Sequence, residues 1–148
     1  MPKEIDVSII IPSFNTRDIL HDCLSSIYCV CASSMGKCEV ILVDDCSSDD
    51  SVEMIQHDFP QIKLLTNDCN SGFSASCNKG ILNAEGRYLL LLNSDTVVFP
   101  DTLERLVAFA DEYTDAGIIG CAHLDGKKNV WHHTPTVLQH LDLLHLIA

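Results

Sequence analysis

The stretch "LLLLNSDTVVFP", residues 89–100, decides how the chain is to be read. Four leucines in succession suit a strand covered on both faces, because no polar position alternates with them. Within one residue the run breaks into an amide, a hydroxyl and a carboxylate, Asn93, Ser94 and Asp95, before returning to Val97, Val98 and Phe99. An apolar strand ending in ligand-capable oxygens is the pattern of an open α/β sheet, where ligands sit beyond the carboxyl ends of the strands.

The same alternation recurs on either side. Residues 7–11 form a short β-branched run closed by Pro12. Residues 17–31 set Ile19, Leu20, Cys23, Leu24, Ile27, Tyr28 and Cys31 on one helical face, with Asn15 or Thr16 as N-cap. Residues 40–43 read as a second strand ending in Asp44 and Asp45, followed by a polar cluster that starts the helix of Val52, Met54 and Ile55. Residues 62–65 read as a third strand ending in Asn67 and Asp68, 73–84 as a third helix and 88–92 as the fourth strand. Pro100 fits the first turn of a helix reaching Tyr113, and 118–122 read as a fifth strand. Further on, 130–132 suit a short strand, and Pro135 opens a last helix to Ile147 with Val137, Leu138, Leu141 and Leu144 on one side. The order predicts an α/β fold, a mostly parallel sheet with helices on both faces.

Composition narrows the function. At 148 residues the chain suits one domain, and 47% apolar residues favour a buried core. Nine basic residues against 21 acidic ones give a net charge of −12, which argues against a nucleic-acid partner. An anionic ligand would then need a metal ion or helix N-termini as its positive element. No charged-then-apolar leader and no long apolar run occur, so a cytoplasmic chain is expected. The eight cysteines contain no CxxC pair, and reduced, buried thiols acting as small hydrophobes are expected.

Several rim residues suit particular chemistry. Asp44 and Asp45 could accept hydrogen bonds from a nucleobase N–H or a ribose hydroxyl, or simply cap a helix. Phe14 could lie against a base. Gly72 permits close backbone approach ahead of a helix N-terminus that can face an anion, and Asn78 lies on that helix. Asp95 could hold Mg²⁺ or Mn²⁺ against a diphosphate, supplying the positive charge the composition lacks.

Together, "VSIIIPSFN" (7–15), "VILVDDCSSDDS" (40–51), "NSGFSASCNKGI" (70–81) and "YLLLLNSDTVVFPDTLERL" (88–106) resemble family 2 glycosyltransferases of the GT-A fold, in the rhamnosyltransferase-like subgroup. The resemblance covers residues 5–122. It implies a Rossmann-like nucleotide-sugar-binding domain at 1–122, with 123–148 as the start of an acceptor-side region that is cut short. It implies a UDP, dTDP or GDP sugar donor and a divalent metal, Mg²⁺ or Mn²⁺. The sugar would pass, with inversion, to a saccharide or lipid-linked acceptor in polysaccharide or cell-wall biosynthesis, in the cytoplasm or at the inner face of the membrane.

By the same resemblance Pro12, Phe14 and Asn15 line the nucleotide pocket, Asp44 and Asp45 contact base or ribose, and Gly72 and Asn78 shape the far wall. Asn93, Ser94 and Asp95 fall on the DxD motif, with Asp95 as the metal carboxylate and Asn93 a departure from the strict pattern. Inverting transfer needs a general base, and no residue matches one; Asp125, His132 and His133 read as loop and surface residues. Efficient transfer by this stretch alone is therefore not expected, and a non-catalytic nucleotide-sugar-binding module is the nearest alternative. A phosphoacceptor receiver-like domain fits less well, since a strand and full helix precede the acidic pair and "GIIGCAH" (117–123) lacks a lysine. The last helix offers a surface for homo-oligomers.

Overall fold

The computed structural model describes residues 5–33, 38–121, 123–125, 127, 130–131 and 137–139. They form two compact units, one ending at Leu103 and the other beginning at Glu104.

The first unit is a four-stranded parallel sheet. Its strands are β1 (Val7–Ser13), β2 (Cys38–Asp44), β3 (Lys63–Thr66) and β4 (Tyr88–Leu91), in the order β3-β2-β1-β4. Between them run α1 (Arg17–Ser33), α2 (Ser51–Asp58) and α3 (Phe73–Leu82). The alternation of strand and helix therefore has the cause expected of it, since parallel neighbours require a crossover. In register, Ser13 lies opposite Asp44, and Asp44 opposite Thr66, so the strand ends share one carboxyl edge.

β1 is the doubly covered strand: all seven of its residues are buried, with Ile9, Ile10 and Ile11 at 0% exposure. Leu20, Cys23, Leu24 and Ile27 of α1 and Ile41, Leu42 and Val43 of β2 complete the core. Each such aliphatic side chain contributes about 1.5–3 kcal/mol on burial. α3 approaches β1 closely because Gly80 has no side chain; a Cβ there would overlap Ile10 Cγ2.

Four expectations are corrected in this unit. The leucine run is not a doubly covered strand, because β4 lies at the sheet's edge among the described residues, with Leu89 and Leu91 about half exposed. The run looked central because a homogeneous apolar strand carries no mark of where it sits in the sheet. On α1 the buried stripe is narrower than the periodicity suggested, since Ile19 and Tyr28 are exposed and Val30 is buried. Pro100 is not in a helical first turn: α4 (Thr102–Glu112) begins after Asp101, whose φ is +64°. Of the cysteines, only Cys23 and Cys77 behave as buried thiols; Cys31 and Cys38 are disulfide-bonded, and Cys29, Cys46, Cys69 and Cys121 are exposed.

The second unit holds most of α4 and four short strands, β5 (Ala116–Ile119), β6 (His123–Leu124), β7 (Val130–Trp131) and β8 (Val137–Gln139). β6 and β7 pair antiparallel, in agreement with a strand at 130. β5 does not extend the parallel sheet; it pairs antiparallel with β8. The expected last helix, and with it a helical surface for homo-oligomers, fails at residues 137–139, which are strand. Cross-strand pairing with Ile118 and Ile119 satisfies that backbone in place of helical hydrogen bonds. The rest of that helix, together with His132 and His133, lies outside the described residues.

Candidate functional site

The carboxyl edge of the sheet brings Pro12, Asp44, Asp45, Gly72 and Asn93–Asp95 to one rim. The adjacent carboxylates of Asp44 and Asp45 have different surroundings. Asp45, 4% exposed, accepts from Asn67 Nδ2 at 2.7 Å and Ser71 N–H at 2.9 Å on Oδ1, and from Gly72 N–H at 2.8 Å on Oδ2. Burial works against the charge, and the hydrogen bonds from Asn67, Ser71, Gly72 and Ser76 outweigh it, holding the carboxyl below its ordinary range. The N-terminus of α3 thus already faces an anion supplied by the chain itself. Gly72 is required for its dihedral, φ +86°, rather than for close approach, since nothing lies within 4 Å of a Cβ built there.

Asp44, 2% exposed, accepts Ser47 N–H on Oδ2 at 2.9 Å. Its Oδ1 is buried with no hydrogen-bond partner. A buried carboxylate oxygen left in this state is costly unless a donor arrives from outside the chain.

The loops around these carboxylates are latched together. Asn15, at φ +52°, donates its N–H to Ser47 Oγ at 2.9 Å and accepts Ser48 N–H on Oδ1 at 2.8 Å. Asp49 accepts from Arg17 N–H at 3.1 Å and Ser51 N–H at 3.2 Å, joining the first turns of α1 and α2. Burial opposes the charge on Asp49, but bonds from the Ser51 hydroxyl and the Arg17 and Ser51 N–H groups lower its pKa overall. Phe14 is 45% exposed beside Asn15.

On the β4 side, Ser94 accepts from Thr16 Oγ1 at 3.3 Å, and Thr16 is 2.9 Å from Ser13 Oγ. Asp95 is exposed, and among the described residues no hydrogen bond or ion pair engages its carboxylate. The nearby Cys23 thiol is pushed up to about 11, chiefly by burial and further by the charge of Asp95, against a lowering backbone contact at Thr96.

Asn78 stands apart, exposed in α3 opposite the buried face of Ser76, Cys77 and Gly80. Asn67, expected at the end of the third strand, holds Asp45, and Lys79, which the sequence did not single out, supports it. Lys79 Nζ donates to Thr66 O and Asn67 Oδ1, both at 2.8 Å, and so orients the amide that holds Asp45. A strand-end Asn followed twelve residues later by a helical Lys carries the signal only once the parallel crossover is known.

No group of three His, Cys, Asp or Glu side chains that could hold a metal occurs among the described residues. The donor set fits a hard cation only in part: Asp95 offers one unengaged carboxylate, and the other oxygens would have to come from a diphosphate and water.

A four-stranded parallel sheet flanked by helices, with carboxylates at its carboxyl edge, defines an α/β domain whose solved neighbours are glycosyltransferases of the GT-A class. The chain belongs to glycosyl transferase family 2, whose model matches residues 8–143. It is 29% identical over 140 residues to the undecaprenyl-phosphate 4-deoxy-4-formamido-L-arabinose transferase of Pseudomonas syringae, covering 91% of this chain and 41% of that protein. It is 33% identical over 110 residues to the succinoglycan biosynthesis protein ExoO of Rhizobium meliloti, covering 74% and 31%. Among solved structures, S. aureus TarS in complex with UDP-GlcNAc superposes with a TM-score of 0.66 at 27% identity, covering 74% of this chain and 32% of TarS. The chain spans less than half the length of the curated relatives it matches.

Proposed function

We propose that this chain is the donor-binding part of a glycosyltransferase that takes a nucleotide-diphosphate sugar at the carboxyl edge of its sheet. The observation that carries the reading is the buried, unpartnered Oδ1 of Asp44. A nucleobase N–H or ribose hydroxyl arriving there would remove the cost of an unsatisfied buried acceptor. Asp45 is engaged on both oxygens, so of the acidic pair it is Asp44 that meets the ligand while Asp45 shapes the loop at Gly72. Phe14 lies against the base, and Pro12 and Asn15 form the pocket's near side.

Asp95 holds Mg²⁺ or Mn²⁺ together with the donor's diphosphate. When bound, the cation neutralises phosphate charge that a chain of net charge −12 cannot offset by itself. Ser94 orients the loop, and Asn93 leaves the site one carboxylate short, which makes metal binding depend on the donor. The binding region is taken as residues 1–122, with 123–148 leading toward the acceptor. The acceptor is a saccharide or lipid-linked, a reading supported by the names of the two bacterial relatives, an undecaprenyl-phosphate 4-deoxy-4-formamido-L-arabinose transferase and a succinoglycan biosynthesis protein. Transfer proceeds with inversion in the cytoplasm or at the inner face of the membrane; no helix among the described residues is long and apolar enough to cross one. The same Asp44 site would serve a module that binds the donor without transferring it.

The test is calorimetry with UDP, dTDP and GDP, each with and without Mn²⁺. One of the three should bind, more tightly with metal. Absence of heat for all three at millimolar concentration would end the donor-site reading. Binding of the intact sugar nucleotide with no turnover in the full-length protein would favour the non-catalytic module.

A further inference from the structure

The loop carrying Asp95 is tied to one side of α1. Val98 N–H donates to Ser26 Oγ at 3.0 Å, and that hydroxyl donates to the Cys23 carbonyl at 2.7 Å. The Cys23 thiol reaches the Asn93 carbonyl at 3.8 Å, and Thr16 Oγ1 donates to Ser94 Oγ at 3.3 Å. Leu92 N–H, on Ile10 O at 3.0 Å, closes the strand before the loop begins. Three of these anchors therefore hold residues 92–94, on the N-terminal side of Asp95. On its C-terminal side the hydroxyl of Ser26 receives the backbone N–H of buried Val98. Serine is a poorer helix former than alanine, so its place in the middle of α1 is accounted for by this bond and not by helix propensity.

We propose that Ser26 is a positioning residue: by fixing Val98 it closes the far end of the Asp95 loop and sets where the Asp95 carboxylate meets a diphosphate-bound cation. This rests on the donor reading above. Without Ser26 the loop keeps its internal bond from Thr96 N–H to Asn93 O at 3.2 Å and the Cys23 contact at Thr96 but loses its tie to α1 at Val98, and Asp95, whose carboxylate accepts no hydrogen bond among the described residues, is less firmly directed. Ser26 touches neither donor nor metal, and its effect falls on the metal-dependent gain in affinity.

UDP and GDP are titrated into the parent, Ser26→Ala and Ser26→Thr, with and without Mn²⁺, and deuterium exchange of the Val98 amide is followed in each. In Ser26→Ala the affinity gained on adding Mn²⁺ should fall about fivefold and Val98 should exchange at least about tenfold faster. Ser26→Thr, which keeps the hydroxyl, should restore both. If the alanine variant does not fold, Ser26→Cys, with similar volume and a weaker acceptor, is read in the same way. A metal-dependent gain equal to the parent's, or unchanged Val98 exchange, overturns the proposal. A parent whose nucleotide binding ignores Mn²⁺ sinks the metal reading instead, and the exchange rates alone then decide whether Ser26 holds the loop.

Discussion

The backbone N–H of Gly72 donates to Asp45 Oδ2 at 2.8 Å, at a glycine whose φ is +86°. A carboxylate at the end of β2 thereby fixes the loop that enters α3. One residue earlier, Asp44 has an oxygen with no partner. The two acids that stand side by side in "VDDC" (43–46) divide into one bonded on both oxygens and one with a buried oxygen left unpartnered.

Asp45 is expected to make stability depend on acid pH. Its folded-state pKa is lowered, so its contribution is complete above the ordinary carboxylate value of about 4 and is lost as pH falls through the lowered value. Asp49 is shifted in the same direction and adds to the slope. Asp45→Ala should cost about 3 kcal/mol at pH 7, since buried N–H groups at Ser71 and Gly72 lose an ionised acceptor. Urea unfolding from pH 7 to pH 3 checks both points: the penalty should shrink toward the acid end. A pH-independent penalty would mean that Asp45 contributes volume and not charge.

Gly80→Ala isolates the packing of α3 on the sheet. Helix propensity alone would stabilise the variant by about 1 kcal/mol. The new methyl, however, would overlap Ile10 Cγ2 in a fully buried environment, and such overpacking costs about 1–3 kcal/mol. The net effect should be destabilising by about 1 kcal/mol, read as a lower urea midpoint at unchanged m-value. A stabilised variant would show that α3 can shift away from β1.

Much of this arrangement was legible in the residues, for identifiable reasons. Strands β1 to β4 and helices α1 to α3 could be located because each apolar run ends in a polar cluster, and the shared carboxyl edge follows from parallel pairing. The position of β4 could not be read, because LLLL looks alike at the edge and at the centre of a sheet. The division of labour between Asp44 and Asp45 was hidden for another reason. Successive side chains on an extended chain point to opposite sides, so neighbours of identical chemistry meet different partners, here Ser47 and Gly72. In "TVLQHLDLLHLIA" (136–148) the helical spacing of apolar residues lost locally to tertiary pairing, since β8 completes a ladder with β5.

Asp95→Ala tests the metal role with little risk to the fold. The side chain is exposed and carries no hydrogen bond, so stability should change by less than about 0.5 kcal/mol. Nucleotide affinity without metal should stay within about twofold of the parent, while the gain on adding Mn²⁺ should vanish. Calorimetry at matched ionic strength separates this from a general charge effect. A variant that keeps the full Mn²⁺ gain would move the cation to other ligands.

Asp44→Asn should improve the fold and impair the site together. The parent buries an ionised oxygen without a donor, whereas the amide can still accept Ser47 N–H through its oxygen and removes the buried charge. Folding stability should therefore rise by about 1 kcal/mol, although the amide nitrogen inherits the unpartnered position. A ligand N–H or hydroxyl that bonded Oδ1 now faces a donor, and nucleotide affinity should drop at least about tenfold, the equivalent of a lost bond to a charged group. Urea unfolding and nucleotide titration of the same preparation read the two effects side by side. If the variant is destabilised and binds nucleotide as the parent does, the unpartnered oxygen of Asp44 serves the fold, and the donor must be recognised elsewhere on the rim.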